Sequence, residues 1–133
     1  MHRWLLMLAP ALVATPLQAQ SLKDFELRQT LEQVARQSSE GTPRAINENL
    51  LDRGYTVEGD ELINHIDVQP RHAAKMRDNP ALVREQLTRS VCSNQGYRQL
   101  LARGATLRYD FKEYESNRSI TSERFETADC TGE

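Results

Sequence analysis

The stretch SVCSNQGYRQLLARGATLRYDF, residues 90–111, decides how this chain folds. Ser93 or Asn94 is placed to cap a short helix whose Tyr97, Leu100 and Leu101 share one face. Gly104 then supplies the left-handed conformation that commonly ends a helix. From Ala105 onward the period changes. Ala105, Leu107, Tyr109 and Phe111 alternate with Thr106, Arg108, Asp110 and Lys112, the spacing of a strand. The stretch also holds Cys92, and the only other cysteine, Cys130, lies close to the end of the chain.

What these two cysteines do depends on the compartment, which the N-terminus indicates. MHRWLLMLAPALVATPLQAQ has a basic residue at Arg3, an apolar run from Trp4 to Val13 and a small residue at Ala19. That order is expected of a secretory signal peptide spanning residues 1–19, cleaved after Ala19. The apolar run falls short of the ~20 residues that a helix needs to cross a bilayer, and Pro10 and Pro16 interrupt it, so no stable membrane anchor is expected. No cysteine stands near the cleavage point to carry a lipid. Residues 20–133 then form a single domain, secreted by way of the periplasm. In an oxidising compartment, two cysteines in a small domain read most simply as a disulfide, Cys92 to Cys130. A redox pair would want the C-x-x-C spacing, which is absent, and a nucleophilic cysteine would want a partner histidine.

Loss of Arg3 with the leader moves the formal charge from −2 to −3, with both signs mixed along the chain. Such a balance excludes nucleic acid as the expected partner, since that needs a concentrated basic face. Of the 17 basic residues 14 are arginine, which favours surface ion-pair networks.

The rest of the chain carries elements and no repeats. SLKDFELRQTLEQVARQSS reads as a helix with Ser21 as N-cap and Leu27, Leu31, Val34 and Ala35 on its buried face, ended by Gly41 and Pro43. Leu22 and Phe25 fall on the opposite side and are candidate partner contacts. RGYTVEGDELINHIDV reads as an antiparallel hairpin turning at Gly59, with PRAIN as a short strand before it, although INENLLDRG also scans as a helical turn closed by Gly54. Pro70 opens a second helix; Asn79 and Pro80 restart a third as N-cap and first-turn proline, with Val83, Leu87 and Val91 as its buried stripe. After the strand at residues 105–111, Ser116 and Asn117 turn the chain, and RSITSERFETADC returns antiparallel as far as Cys130. Ile120 and Phe125 are out of phase in it, which points to a bulge or a two-sided strand. The expected fold is α+β, one domain, an antiparallel sheet of four to five strands packed by about three helices, with one disulfide.

The run C...YRQLL..G..LRYDF, followed by a hairpin and a terminal DC, resembles a family of small exported bacterial proteins described as quorum-sensing-regulated secreted virulence factors. The similarity runs over most of residues 20–133 and is most specific at Cys92, Tyr97, Arg98, Leu101, Gly104, Tyr109, Asp129 and Cys130. Members often place a glycine in the last hairpin turn, where this chain has ESNR; Asn117 can take the left-handed conformation instead, so only the turn type departs. The resemblance implies a secreted α+β protein linked to virulence, with no active site to carry over.

The residues themselves point away from catalysis. His65, Asp67 and His72 lie close in sequence, but their spacing matches no zinc motif and Pro70 separates the histidines. Glu58, Asp60 and Glu61 are explained by the polarity of a hairpin turn. No phosphate-binding glycine loop, G-x-S-x-G or H-E-x-x-H occurs. Arg98, Arg103 and Arg108 are expected to pair with Asp110, Glu113 or Glu126; the functional version makes Arg98 and Arg108 a reader of an anionic patch. The expectation is therefore a non-enzyme without cofactor or metal, monomer or weak dimer, that touches an unidentified protein partner of the host or cell envelope. The alternative is a periplasmic accessory or small-ligand-binding protein with a pocket between helices and sheet. N-terminal sequencing of the exported protein is expected to start at Gln20; a start at Met1 refutes the leader.

Overall fold

The computed structural model describes residues 16–131, with side chains described from Ser21 onward. The part of the expected leader that spans residues 1–15 lies outside the described residues. Helix α1, Pro16–Ser38, already includes Pro16–Ala19. Ser21 is therefore inside the helix rather than its N-cap. The expected apolar face is present: Leu27, Leu31 and Ala35 are buried, one above the other at four-residue spacing.

Strand β1, Arg44–Ala45, is followed by β2, Leu50–Glu58, and β3, Glu61–Val68. The helical reading of INENLLDRG gives way to the start of β2, because Asn47 Oδ1 accepts from the backbone of Asn49 and Leu50 and turns the chain into the strand. Gly54 is then a bulge and not a helix stop. The register slips between Asp52 and Tyr55, and Gly54 sits there at φ +105°. An added Cβ would lie 3.1 Å from both Ser39 Oγ and Thr42 Oγ1, so the loop after α1 closes directly on this residue. Ser39 Oγ accepts from Tyr55 N at 2.8 Å and completes the joint.

Three helices lead from β3 to the next strand. They are α2, Pro70–Asp78, α3, Pro80–Ser93, and α4, Gln95–Ala102, so four α-helices lie among the described residues, beside the expected number of about three. Asn79 does not cap α3 with its side chain. Its Nδ2 donates instead to Lys75 O, closing the end of α2. Of the α3 stripe only Val91 is fully buried; Val83 and Leu87 are half-buried because α3 rides on the surface. Asn94 caps α4 by accepting from Tyr97 N at 3.0 Å. At the other end Gly104, φ +102°, donates to Leu101 O, and Ala105 N donates to Leu100 O. This is the paired-bond helix stop that the glycine predicts.

Strand β4, Thr106–Glu113, and β5, Ser119–Phe125, complete a sheet in the order β1-β2-β3-β4-β5. All pairings are antiparallel except one. β3 and β4 run parallel, with Leu62 beside Leu107 and Ile66 beside Phe111. This pair departs from the antiparallel pairing expected of the sheet because the β3–β4 connection is a three-helix crossover, and a crossover returns a strand in the same direction. Asn117 takes the left-handed turn conformation, joined by Glu115, and the ladder slips between Phe111 and Lys112, the bulge expected from the phase of Ile120.

Alternation sorts the two faces of the sheet. Leu62, Ile66, Val68, Leu107, Phe111 and Phe125 turn to the helices, where they meet Leu31, Met76, Val91 and Leu101. Each such side chain fully buried contributes about 1.5–3 kcal/mol. The chain does not stay extended to Cys130. A 3₁₀ turn, Thr127–Cys130, follows β5, held by Glu126 N donating to Asp129 Oδ2 at 2.7 Å. It carries Cys130 to Cys92 at the end of α3, and the disulfide forms with Cα atoms 5.3 Å apart.

Closing a 38-residue span in the unfolded chain corresponds to about 4 kcal/mol of stability. Cys92→Ser with Cys130→Ser is expected to lose about that much in denaturant titration; a loss smaller than about 1 kcal/mol contradicts the staple.

Candidate interaction surfaces

The face of the sheet away from the helices carries Thr56, Glu58, Glu61, His65, Asp67, Arg108, Asp110 and Arg124. Its charges are used internally. Arg108 Nη2 lies 3.2 Å from Glu58, and its Nη1 lies 3.6 Å from Glu61, which also holds Arg124 Nε at 2.8 Å. Arg53 pairs with Asp67 at 3.2 Å. The partners expected for Arg108 were Asp110, Glu113 or Glu126; parallel pairing sets Arg108 beside Ile63 and so brings the hairpin carboxylates to it instead. Glu58 and Glu61 are thus ion-pair partners.

Arg98 and Arg108 do not form one patch. Arg98 stands on α4 in the helical layer, where Nη1 donates to Cys92 O at 3.2 Å and caps the end of α3. Arg108 stands on the opposite face of the sheet, its side chain 16% exposed. A single anionic ligand cannot span both. Arg103 Nη1 donates to Thr30 Oγ1, which ties α4 to α1.

Leu22 and Phe25 are where the helical wheel puts them. Both are 59% exposed, and residues 21–26 of α1 are exposed throughout, with burial beginning at Leu27. The helix therefore overhangs the sheet by nearly two turns at ~1.5 Å per residue. Ile46, Leu82 and Tyr114 are the other exposed large apolar side chains among the described residues; Leu82 is on α3, whereas Ile46 and Tyr114 lie in the connections between strands.

Between α4 and the sheet the residues pack around polar groups that the sequence did not signal. Tyr55 and Tyr97 hydroxyls meet at 3.1 Å, and Asn64 Nδ2 donates to Asp52 Oδ1 at 2.9 Å. Burial, then the Tyr97 hydrogen bond, pushes the Tyr55 phenol far above its ordinary value; Tyr109 rises for the same leading reason, burial. Both stay protonated under ordinary conditions. The space they leave, about 10 Å³ beside Leu62 and Leu107, has room for at most one water. A shallow cleft of about 180 Å³ lies elsewhere, beside Asn47, Leu50, Gln69 and Tyr114.

His65 and His72 are separated, the first on β3 and the second on α2. Among the described residues no three His, Cys, Asp or Glu side chains are placed to hold a metal. His65 Nε2 lies 2.7 Å from Thr56 Oγ1 and its Nδ1 lies 3.8 Å from Asp110.

A sequence profile for the family described as "Putative quorum-sensing-regulated virulence factor" matches residues 20–131. The crystal structure of a "putative secreted protein" from Pseudomonas aeruginosa is similar at 62% identity and a TM-score of 0.80, covering 82% of this chain and 96% of that one. Two type II secretion system pilotins are similar in fold alone. EpsS of Vibrio vulnificus gives a TM-score of 0.72 at 15% identity over 85% of this chain and 99% of its own. AspS of Vibrio cholerae gives 0.68 at 16% identity over 84% of this chain and 99% of its own. No curated protein sequence matches.

Burial lowers the His65 pKa from its ordinary 6.5, with Asp110 opposing and Lys112 and Arg108 assisting. The unfolded chain therefore binds the proton first as pH falls, and stability that is present at neutral pH is lost through the window just below 6.5. Denaturant titrations at about pH 7.5 and about pH 5.5 are expected to show a smaller decline for His65→Gln than for the unaltered protein; equal declines contradict the assignment.

Proposed function

The chain belongs to the quorum-sensing-regulated virulence factor family, and on that premise we propose that it is an exported, non-catalytic protein that docks a protein of the bacterial cell envelope. The observation that carries this reading is the overhang of α1, which holds Leu22 and Phe25 out in solvent on a helix whose later turns bury Leu27, Leu31 and Ala35. Two apolar side chains three residues apart lie on one helix face and suit a groove or helix of a partner.

Several observations support the parts of the proposal. Export accords with the family, with the Pseudomonas relative's description and with the beginning of the family match at Gln20, directly after the proposed cleavage point. Oxidised Cys92–Cys130 accords with passage through the periplasm. An envelope partner, rather than a host one, is favoured by the fold shared with two pilotins of a secretion system. Non-catalytic action accords with titratable groups engaged in pairing: Glu58, Glu61 and Asp67 with arginines, and His65 with Thr56. The accessory-protein alternative merges with this reading. Its small-ligand form needs a pocket between helices and sheet, where the space is about 10 Å³.

The test places a photo-crosslinking residue at position 22 or 25 of the full chain in the producing bacterium, with position 82 as control. Leu82 is also exposed, at 48%, but lies on α3. One discrete envelope adduct is expected from positions 22 and 25 and absent from 82; the adduct from position 22 is expected to weaken at least about tenfold with Phe25→Asp, and that from position 25 with Leu22→Asp. Those substitutions are expected to change stability by less than ~0.5 kcal/mol. No adduct, or the same adduct from all three positions, sinks the proposal.

A further inference from the structure

The sheet ends at β5, and an edge strand offers backbone N–H and C=O groups to any extended chain that reaches it. Thr106 N donates to Asp60 O on the β3 side, whereas Glu113 N donates to Arg118 O on the β5 side. Along β4 the even-numbered residues thus bond toward β3, and Leu107, Tyr109 and Phe111 face Phe125, Glu123 and Thr121. The intervening Ser122 and Arg124 turn their backbone groups outward.

Two arginines from the helical layer come down on that edge. Arg77, at the end of α2, donates Nη2 to Ser119 O at 3.2 Å while its Nη1 is held 2.9 Å from Glu113. Arg84, on α3, donates Nη1 to Arg124 O at 2.7 Å. The same guanidinium is anchored by Asp129 at 3.2 Å and Glu123 at 3.5 Å, and lies 4.0 Å over the Phe125 ring. A guanidinium bond to a backbone carbonyl, backed by carboxylates and an aromatic face, is a strong way to occupy an acceptor that an incoming strand would need. Between the two capped carbonyls Ser122 is exposed. At the opposite edge β1 pairs only with Leu51 and Asp52 of β2, and Ser39 Oγ takes the Tyr55 N–H.

We infer that Arg77 and Arg84 close the β5 edge against strand addition, and that the surface they close fits a second copy of this chain, β5 against β5. Antiparallel pairing centred on Ser122 is self-complementary, as a two-fold contact must be. It sets Arg124 opposite Ile120 and Glu123 opposite Thr121, so no like charges meet directly across the new ladder. Glu113, Glu123 and Asp129 keep the arginines in place and thereby keep the edge shut.

The test uses the oxidised protein and measures its monomer–dimer equilibrium by sedimentation. Arg77→Met with Arg84→Met removes every donor yet leaves an unbranched side chain over Phe125. The unaltered protein is expected to stay monomeric, and the double variant to associate roughly a hundredfold more tightly, with each lost guanidinium–carbonyl bond counting for roughly tenfold. Arg77→Met alone, at the exposed end of α2, carries the same test at roughly tenfold. Adding Ser122→Pro deletes the outward N–H at a position where an edge strand tolerates proline, and is expected to restore the monomer. A folded double variant that remains monomeric overturns the inference, as does a dimer that Ser122→Pro leaves intact.

Discussion

The parallel pairing of β3 with β4 is the constraint on which the rest of the molecule depends. A strand can return parallel to its neighbour only after crossing over the sheet, and here the crossing consists of α2, α3 and α4. The crossover commits these three helices to one face, where Leu62, Ile66, Val68, Leu107 and Phe111 lie beneath them and α1 fills the remaining place with Leu27 and Leu31. The other face is left to Arg108, Glu61, Asp67 and their partners, which neutralise one another. Hairpins on both sides, β2 with β3 and β4 with β5, then extend the central pair outward.

A sheet covered on one side has two weak places, its chain ends and its edges, and each is secured by a different chemistry. The final turn is tied covalently, since Cys130 joins the end of α3 through Cys92. The β5 edge is held by guanidinium groups, and the β2 edge is covered at Leu51 and Asp52 by β1 and at Tyr55 by Ser39 Oγ. Hydrophobic burial holds the middle, with Leu31, Val68, Val91 and Phe125 fully enclosed. Residues 21–26 of α1 are exposed throughout. The proposed docking role rests on Leu22 and Phe25, which among the exposed large apolar side chains of the described residues are the two that share one helix face.

Much of this was legible in the residues because the signals are local. Gly104 stops α4, Asn94 caps it, Pro70 and Pro80 open α2 and α3, and the alternation from Ala105 to Phe111 is the strand it reads as. The pairing of Cys92 with Cys130 followed from compartment and number. Parallel pairing was not legible, since periodicity marks a strand without saying which neighbour it joins. The arginine partners failed for the same reason: Arg108 finds Glu58 and Glu61 across a ladder formed after a long crossover, while near neighbours in sequence point elsewhere. INENLLDRG was ambiguous until Asn47 turned it and Gly54 met Ser39, both of which need the folded loop. Of the candidate contacts, Leu22 and Phe25 were readable from a helical wheel alone. The Tyr55–Tyr97 contact and the grip of Arg84 on β5 exist only once distant elements have packed.

Amide hydrogen exchange on the intact, oxidised protein tests the central claim most directly, because protection ranks elements by how deeply the fold relies on them. The account predicts the slowest exchange in Leu62–Val68 and Leu107–Phe111, the two strands of the parallel pair, and fast exchange at residues 21–26 of the α1 overhang. Central strands exchanging as quickly as the overhang would contradict it.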